Sequence, residues 1–338
     1  MNAPRQPALQ RLGVVVELPG LLTEHGLDAG EIFASAGLGQ PPRSADDKLP
    51  FIDTVQLLEK SAALTGCPHF GLLLGQRFQL AHHGPIGDLM RHAPTLGHAL
   101  GDFVSWQPGY SSGAIVYLHR LGEDHALGYG AMGAASRVLH DLVVAIGVRM
   151  LDQLTHGAVR PEEVHVAHRP PADRSAYARY LNVAVRFNEN RVCTVLSSAA
   201  LGTRLPDAYH ARHQAIQAKL RETLRVAATD LASRTRQILR NLLQHGTPSM
   251  DAVAQALAMH PRTLRRHLAK EQTSFEILCN ATRFDMAKEL LDLTDLPVSE
   301  IGTALAYASP SVFADAFRRW SGLTPTEWRR RYGHAGPA

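Results

Sequence analysis

The segment 51–65, FIDTVQLLEKSAALT, spaces its apolar residues at helical intervals, and Gly66 with Pro68 behind it supplies a stop. Residues 69–80 and 84–93 read as two short helices. Thr95 is placed as the N-cap of a further helix that carries Leu96, Ala99, Leu100 and Phe103 on one face. The runs GAIVYLHRL and HALGYGAM are rich in strand formers, and the short polar link GED between them suits a hairpin. A strong amphipathic helix follows over 136–156. EVHVAH, VAVRF and RVCTVLS then run apolar or alternate over strand length. The front of the chain therefore mixes helices with strands.

Strand patterns stop at Asp207. Helical periodicity fills 207–223 and 230–244, and His245-Gly246-Thr247-Pro248 breaks the chain. Beyond the break one pattern occurs twice. In MDAVAQALAM, Val253, Ala254 and Leu257 share a stripe, Met259-His260 makes a turn, and Pro261 opens a second helix. That helix, PRTLRRHLAKE, sets Leu264 and Leu268 inward and gathers Arg262, Arg265 and Arg266 on the other side. VSEIGTALAYA repeats the plan with Ile301 and Leu305. Ser309 then caps, and Pro310 opens SVFADAFRRWSG, whose buried face is Phe313, Ala316, Phe317 and Trp320. The segment SFEILCNATRFDMAKELLDLT is a long amphipathic helix that joins the two units. Two such units spaced by one turn of DNA, roughly 34 Å, can read successive segments of the major groove.

Charge adds to this picture. The 35 basic and 31 acidic residues give a net +4, but the balance is −2 over 1–200 and +6 over 201–338. The basic half is the electrostatic footprint of a polyanion binder. An arginine cluster alone is most often a solvated helix face; two consecutive turn–helix units with matching caps favour DNA.

These residues closely resemble the DNA-binding domain of AraC/XylS-type transcription regulators, over about ninety residues that end in FRRWSGLTPTEWRR. HHGPIGDLMRHAPTLGHALGDFV, EVHVAHRPPADRSAYARYLNVAVRFNENR and Leu201–Pro206 resemble the arabinose-binding-like effector domain of one branch of that family. The resemblance implies an α+β N-terminal effector domain followed by an all-α C-terminal domain with two helix-turn-helix units joined by a long helix. Its divisions are 1–206 for effector binding and dimerisation, 207–246 for helical coupling and 247–333 for DNA binding. The implied partners are double-stranded DNA at promoter sites, a small-molecule effector, a second copy of the chain, and RNA polymerase if it activates.

Carried over by position, the DNA contacts are Arg262, Thr263, Arg265 and Arg266 in the first unit, and Ser309, Ser311, Ala314, Asp315 and Arg318 in the second. The sequence departs from the family at Asp315, where Arg is frequent, and at Ala306-Tyr307, where Gly-Phe is usual. An exposed carboxylate repels phosphate, so the first unit is expected to dominate specificity. A partner-binding or ligand-sensing module with weakened DNA contacts is the alternative that Asp315 leaves open.

Trp106, Tyr110, Tyr117, Tyr129 and Met132 cluster in the β-rich region, and Trp106, Tyr110, Tyr117 and Tyr129 are candidates to line an effector pocket. An aromatic or otherwise apolar effector, an acyl chain or an amino-acid derivative fits such a lining. Eighteen histidines raise a metal reading, but His82-His83 cannot share a helical face and His165-x-x-His168 is read as alternating along a strand. No HExxH motif, GxSxG elbow or phosphate-binding loop occurs. Cys67, Cys193 and Cys279 are scattered and odd in number, which fits a reducing compartment. No enzyme activity, cofactor, metal or membrane segment is expected, and the location expected is cytoplasmic.

Overall fold

The computed structural model describes residues 7–109, 111–133, 136–227, 230–244, 248–257 and 259–333. These fall into two compact units that meet in sequence between Tyr209 and His210.

In the first unit, β1 (Leu9–Arg11) pairs antiparallel with β2 (Lys48–Pro50), and α1 (Leu18–Glu24) and α2 (Ala29–Ser35) lie between them in the chain. Asp28 starts α2 by accepting from Glu31 N at 3.1 Å. Helix α3 (Phe51–Thr65) ends at Gly66, whose φ of 61° is the left-handed cap that glycine supplies without strain. Helices α4 (Phe70–Gln76), α5 (Pro85–Arg91) and α6 (Leu96–Trp106) follow, and Thr95 caps α6 through His98 N. The helix expected over 69–80 stops early. Leu80–His83 instead forms a separate 3-10 turn that leads into Pro85.

The hairpin is β3 (Ala114–Leu121) and β4 (Asp124–Ala131), with Leu118 opposite Leu127 and the turn confined to Gly122 and Glu123. Helix α7 (Arg137–Thr155) is capped by Ser136. After it come β5 (Glu163–His165), α8 (Ser175–Leu181), β6 (Ala184–Arg186), β7 (Val192–Leu196) and α9 (Ser198–Leu201). The sheet order is β3-β4-β7-β5-β6. It is antiparallel except at β5–β6, where α8 provides the crossover that a parallel pair needs. All five residues of β7 are buried, as a central strand requires.

Helix α4 approaches α7 more closely than side chains allow. A Cβ on Gly71 would stand 2.2 Å from Val138 O, and one on Gly75 would stand 2.4 Å from the Ala145 Cβ. Two glycines four residues apart therefore make the flat face on which α7 lies.

Strand β5 ends at His165, so strand alternation does not govern His168, contrary to the sequence reading. His168 instead turns inward, with Nε2 at 3.0 Å from Asp141 Oδ1 and Nδ1 at 2.9 Å from Arg169 O. Asp141 Oδ1 also accepts from the Tyr177 hydroxyl at 2.8 Å, and its Oδ2 lies 3.6 Å from Arg137 Nε. This carboxylate is 1% exposed and fastens α8 and the segment after β5 to α7.

The second unit is all helical: α10 (His210–Ala227), α11 (Leu231–Gln244), α12 (Met250–Ala256), α13 (Pro261–Lys270), α14 (Phe275–Leu293), α15 (Val298–Ala304), α16 (Pro310–Ser321) and α17 (Pro325–Tyr332). Helix α11 belongs to its core: Ala232 and Leu239 pack with Val253, Leu264, Leu268 and Leu278. The Glu271 carboxylate accepts from Leu231 N and Ala232 N at the start of α11, and Arg240 pairs with Glu289.

Helix α14 is less one-sided than its sequence implies, because it serves two cores at once. Leu278 and Cys279 enter the cluster with α12 and α13, while the Phe284 ring meets Phe317, Trp320 and Trp328 at 5.2, 5.4 and 6.2 Å. Trp328 Nε1 donates to Asp292 Oδ1 at 2.8 Å and ties α17 to the same spine. No helix among the described residues is long and apolar enough to cross a membrane.

Candidate functional site

Two surfaces of different kind carry the chemistry, one in each unit. In the second, α12–α13 and α15–α16 share one construction. Each first helix closes with a backbone bond spanning the turn, Met259 N to Ala254 O at 2.9 Å and Tyr307 N to Gly302 O at 3.0 Å. Each second helix opens on proline after a side-chain cap. His260 Nδ1 accepts from Arg262 N, and Ser309 Oγ accepts from Val312 N.

In α13, Leu264 and Leu268 are fully buried, which turns Arg262, Arg265 and Arg266 to solvent with Thr263 half-buried beside them. Three guanidinium groups near the start of an exposed helix can bind guanine edges bidentately or pin phosphates. In α16, Phe313 and Phe317 are buried. The outward positions are then Ser311, Asp315 and Arg318, all exposed, with Ala314 and the cap Ser309 half-buried. Trp320 is only half-buried, with its ring tilted against that of Phe284 at 5.4 Å.

Asp315 stands where Arg266 stands in α13, so the two reading faces differ by charge at equivalent positions. Ala306 adds a second departure. Its N–H bonds Thr303 O at 3.0 Å and its φ is 58°, the left-handed position of a Schellman cap that glycine normally occupies. Ala306→Gly is expected to stabilise the second unit by about 0.5–1 kcal/mol. A thermal midpoint unchanged or lowered would contradict this.

The first unit holds a cavity of about 160 Å³, walled by Val14, Phe51, Val116, Leu127, Leu139, Leu142 and Met150 among others. Tyr129 lines it. Burial pushes the Tyr129 phenol well up, so it stays protonated. Trp106 and Tyr117 are outside this lining: Trp106 packs beside the core, and the buried Tyr117 ring covers Gly128. Met132 likewise packs against the core, and Tyr110 falls outside the described residues.

Polar lining comes from residues the sequence reading did not select, Arg11, His83, Gln107 and Ser111 among them. Arg11 is 5% exposed, bonded to Asp46 Oδ1 at 2.8 Å and to His82 O. The His83 ring lies between Phe78 and Phe103, with centroids 4.9 and 4.7 Å away. Burial, with the Arg11 charge adding to it, holds its pKa down at about 3, so His83 is neutral. Burial also pushes the Cys193 thiol up to about 12 and the Cys279 thiol up, which suits packing and opposes nucleophilic use. Among the described residues no three His, Cys, Asp or Glu side chains converge as a metal site.

Comparison with known proteins bears on both surfaces. Residues 26–205 match the family described as the arabinose-binding domain of AraC transcription regulators, N-terminal, and 253–331 match a helix-turn-helix domain. The chain belongs to the AraC family. It is a DNA-binding transcriptional regulator with an arabinose-binding-like N-terminal domain. The regulator is 28% identical to the ornithine utilization regulator of Pseudomonas aeruginosa over 91% of this chain and 93% of that one. It is 29% identical to the transcriptional regulator VirS of Mycobacterium tuberculosis over 83% and 84%. Among solved structures it is similar to CdpR from Pseudomonas aeruginosa, at 23% identity and a TM-score of 0.46 over 89% of this chain and 96% of that one.

Proposed function

We propose that this AraC-family regulator is a transcriptional activator, working as a homodimer, whose grip on promoter DNA is set by a small molecule in the cavity of its first unit. The observation that carries effector control is that cavity: a largely apolar space with a few polar residues in its wall, inside the domain type named for ligand binding. One relative over most of the chain is named for the use of a small metabolite, ornithine, which fits regulation of this kind.

Functionally the chain divides into 1–206, which binds effector and a second copy, 207–246, which couples, and 247–333, which reads DNA. Occupancy of the cavity favours one of two arrangements, and the favoured one binds DNA and engages RNA polymerase. Since α11 is built into the core of the second unit, a signal delivered to 207–246 bears directly on the reading head.

Arg262, Arg265 and Arg266 with Thr263 make the dominant contacts. Ser309, Ser311, Ala314, Asp315 and Arg318 dock the second helix more weakly. Asp315→Arg is therefore expected to tighten DNA binding by about three- to tenfold at low salt. Equal affinity of variant and parent would mean that the second helix does not approach DNA.

The function is tested by transcription in vitro from a promoter that the purified protein selects, with and without a metabolite extract. More transcript with extract supports effector-controlled activation. Less transcript makes the protein a repressor, and an indifferent response removes effector control.

A further inference from the structure

Helix α16 offers DNA a different set of groups from α13. Both helices begin on a proline, so their positions pair off: Leu264 with Phe313, Leu268 with Phe317 and Arg266 with Asp315. The rotation of α16 is fixed from beneath. Phe313 and Phe317 are fully buried, and a Cβ on Gly302 of α15 would stand 3.2 Å from the Phe313 Cβ. Ser311 and Asp315, four residues apart, therefore share the outward face, and both are exposed.

Few polar groups near the start of α16 are left to read a base. The Ser309 and Ser311 hydroxyls bond each other at 2.9 Å, and Ser309 also caps the helix through Val312 N. Ala314 brings only a methyl group. Among the described residues Asp315 has no ion-pair partner, although Arg318 and Arg319 follow it by three and four positions. Pinning a phosphate is closed to its carboxylate, because the two negative charges repel. What remains to it is to accept hydrogen bonds.

A helix that enters the major groove by its N-terminal part meets base edges there. Guanine presents the acceptors N7 and O6, and thymine the acceptor O4 with a methyl group, so neither gives a carboxylate a donor. Adenine has an amino donor but sets the N7 acceptor beside it. Cytosine presents its N4 amino group. We infer that Asp315 reads a cytosine, accepting a hydrogen bond from its N4 amino group, at the position where the equivalent Arg266 of α13 favours guanine. The inference rests on the reading of α13 and α16 as DNA-contacting helices and narrows it. Weak docking and selectivity go together here. The carboxylate adds nothing to the general attraction for DNA, yet it rejects the wrong base at one position.

The test is titration of a DNA site selected by the purified full chain, with each base pair replaced in turn by the other three. The proteins are the parent, Asp315→Ala, Asp315→Asn and Asp315→Arg. At one position, about one DNA turn from the bases that depend on α13, the parent is expected to prefer cytosine about tenfold. Asp315→Ala should lose that preference and keep the others, Asp315→Asn should move it to adenine, and Asp315→Arg should move it to guanine. Ratios of affinity within one protein cancel the general gain that Asp315→Arg brings at low salt. Because the side chain is exposed, the variants should melt like the parent. If one does not fold, the other two decide. An Asp315→Ala profile identical to the parent's at every position overturns the inference, and so does a parent preference at the Asp315-dependent position for any base but cytosine. A parent that selects no site removes the DNA-contact reading and the inference with it. Selectivity that depends on α13 alone leaves the reading of α13 standing and removes only the inference.

Discussion

Replacing Arg262, Arg265 and Arg266 together by alanine is expected to weaken binding to a selected DNA site by at least about a hundredfold. Each arginine in contact with a guanine edge or a phosphate contributes about 1–3 kcal/mol, so even the low end sums to two powers of ten. The salt dependence should fall too, by about two to three units in the slope of log affinity against log salt. Stability should not change. All three side chains are exposed on α13, while Leu264 and Leu268 hold the helix from the other side. Alanine is also at least as good a helix former as arginine. A thermal midpoint held within a degree or two therefore accompanies the loss.

The experiment is a selection of genomic fragments by parent and triple variant, followed by titration of an enriched fragment at several salt concentrations. Enrichment by the parent alone places the reading head on α13. An affinity within threefold of the parent would move it elsewhere, and α16 would have to carry specificity despite Asp315. The asymmetry between the two helices gives the result its meaning. Buried leucines and phenylalanines make the two units structural equivalents, yet Arg266 and Asp315 occupy the same outward position with opposite charge.

That equivalence was legible in the sequence because helical periodicity, caps and turn residues act locally. Ser309, Pro261 and Pro310 each do in the structure what their position implied. The single residue Asp141 shows where locality ends. Its partners His168 and Tyr177 lie 27 and 36 positions away, and nothing in the pattern of α7 distinguishes an inward aspartate from an outward one. The cavity escaped for the same reason. Gln107 and Ser111 sit in a polar turn that reads as surface, and His83 in a pair that reads as a loop. Only the packing of α6 against the hairpin and the 3-10 turn makes them a lining. Aromatic residues were the natural guess, but Tyr117 shows that a buried ring in a strand can simply fill the space over a glycine. The three-residue β1 is too short to show an alternation, and although EVHVAH and VAVRF mark β5 and β6 as strands, nothing in them names their neighbours, so the order of the sheet had no sequence signal.

Asp141→Ala is expected to destabilise the first unit by about 3–5 kcal/mol, which is the usual cost of removing one member of a buried charged network. The carboxylate is 1% exposed and serves three groups on three parts of the chain. Burial, and then the neighbouring carboxylate itself, push the Tyr177 phenol up, so it remains a donor that must find an acceptor. Without Asp141 that hydroxyl and the His168 ring lose their acceptor, and Arg137, one-third exposed, loses its counter-charge but regains some water. Asp141→Asn keeps one acceptor oxygen for Tyr177 and gives up the charge, so it should cost about half as much. In scanning calorimetry, a first-unit transition lowered by about 6–20 °C is the expected reading for the alanine variant. Specific DNA binding measured well below that transition should stay at the parent's level, because the recognition helices belong to the other unit. A midpoint unmoved by either substitution would show that α7 and α8 are joined by their apolar contacts alone. A parallel loss of DNA affinity in the folded variant would instead show that this buried network feeds the coupling between cavity and reading head.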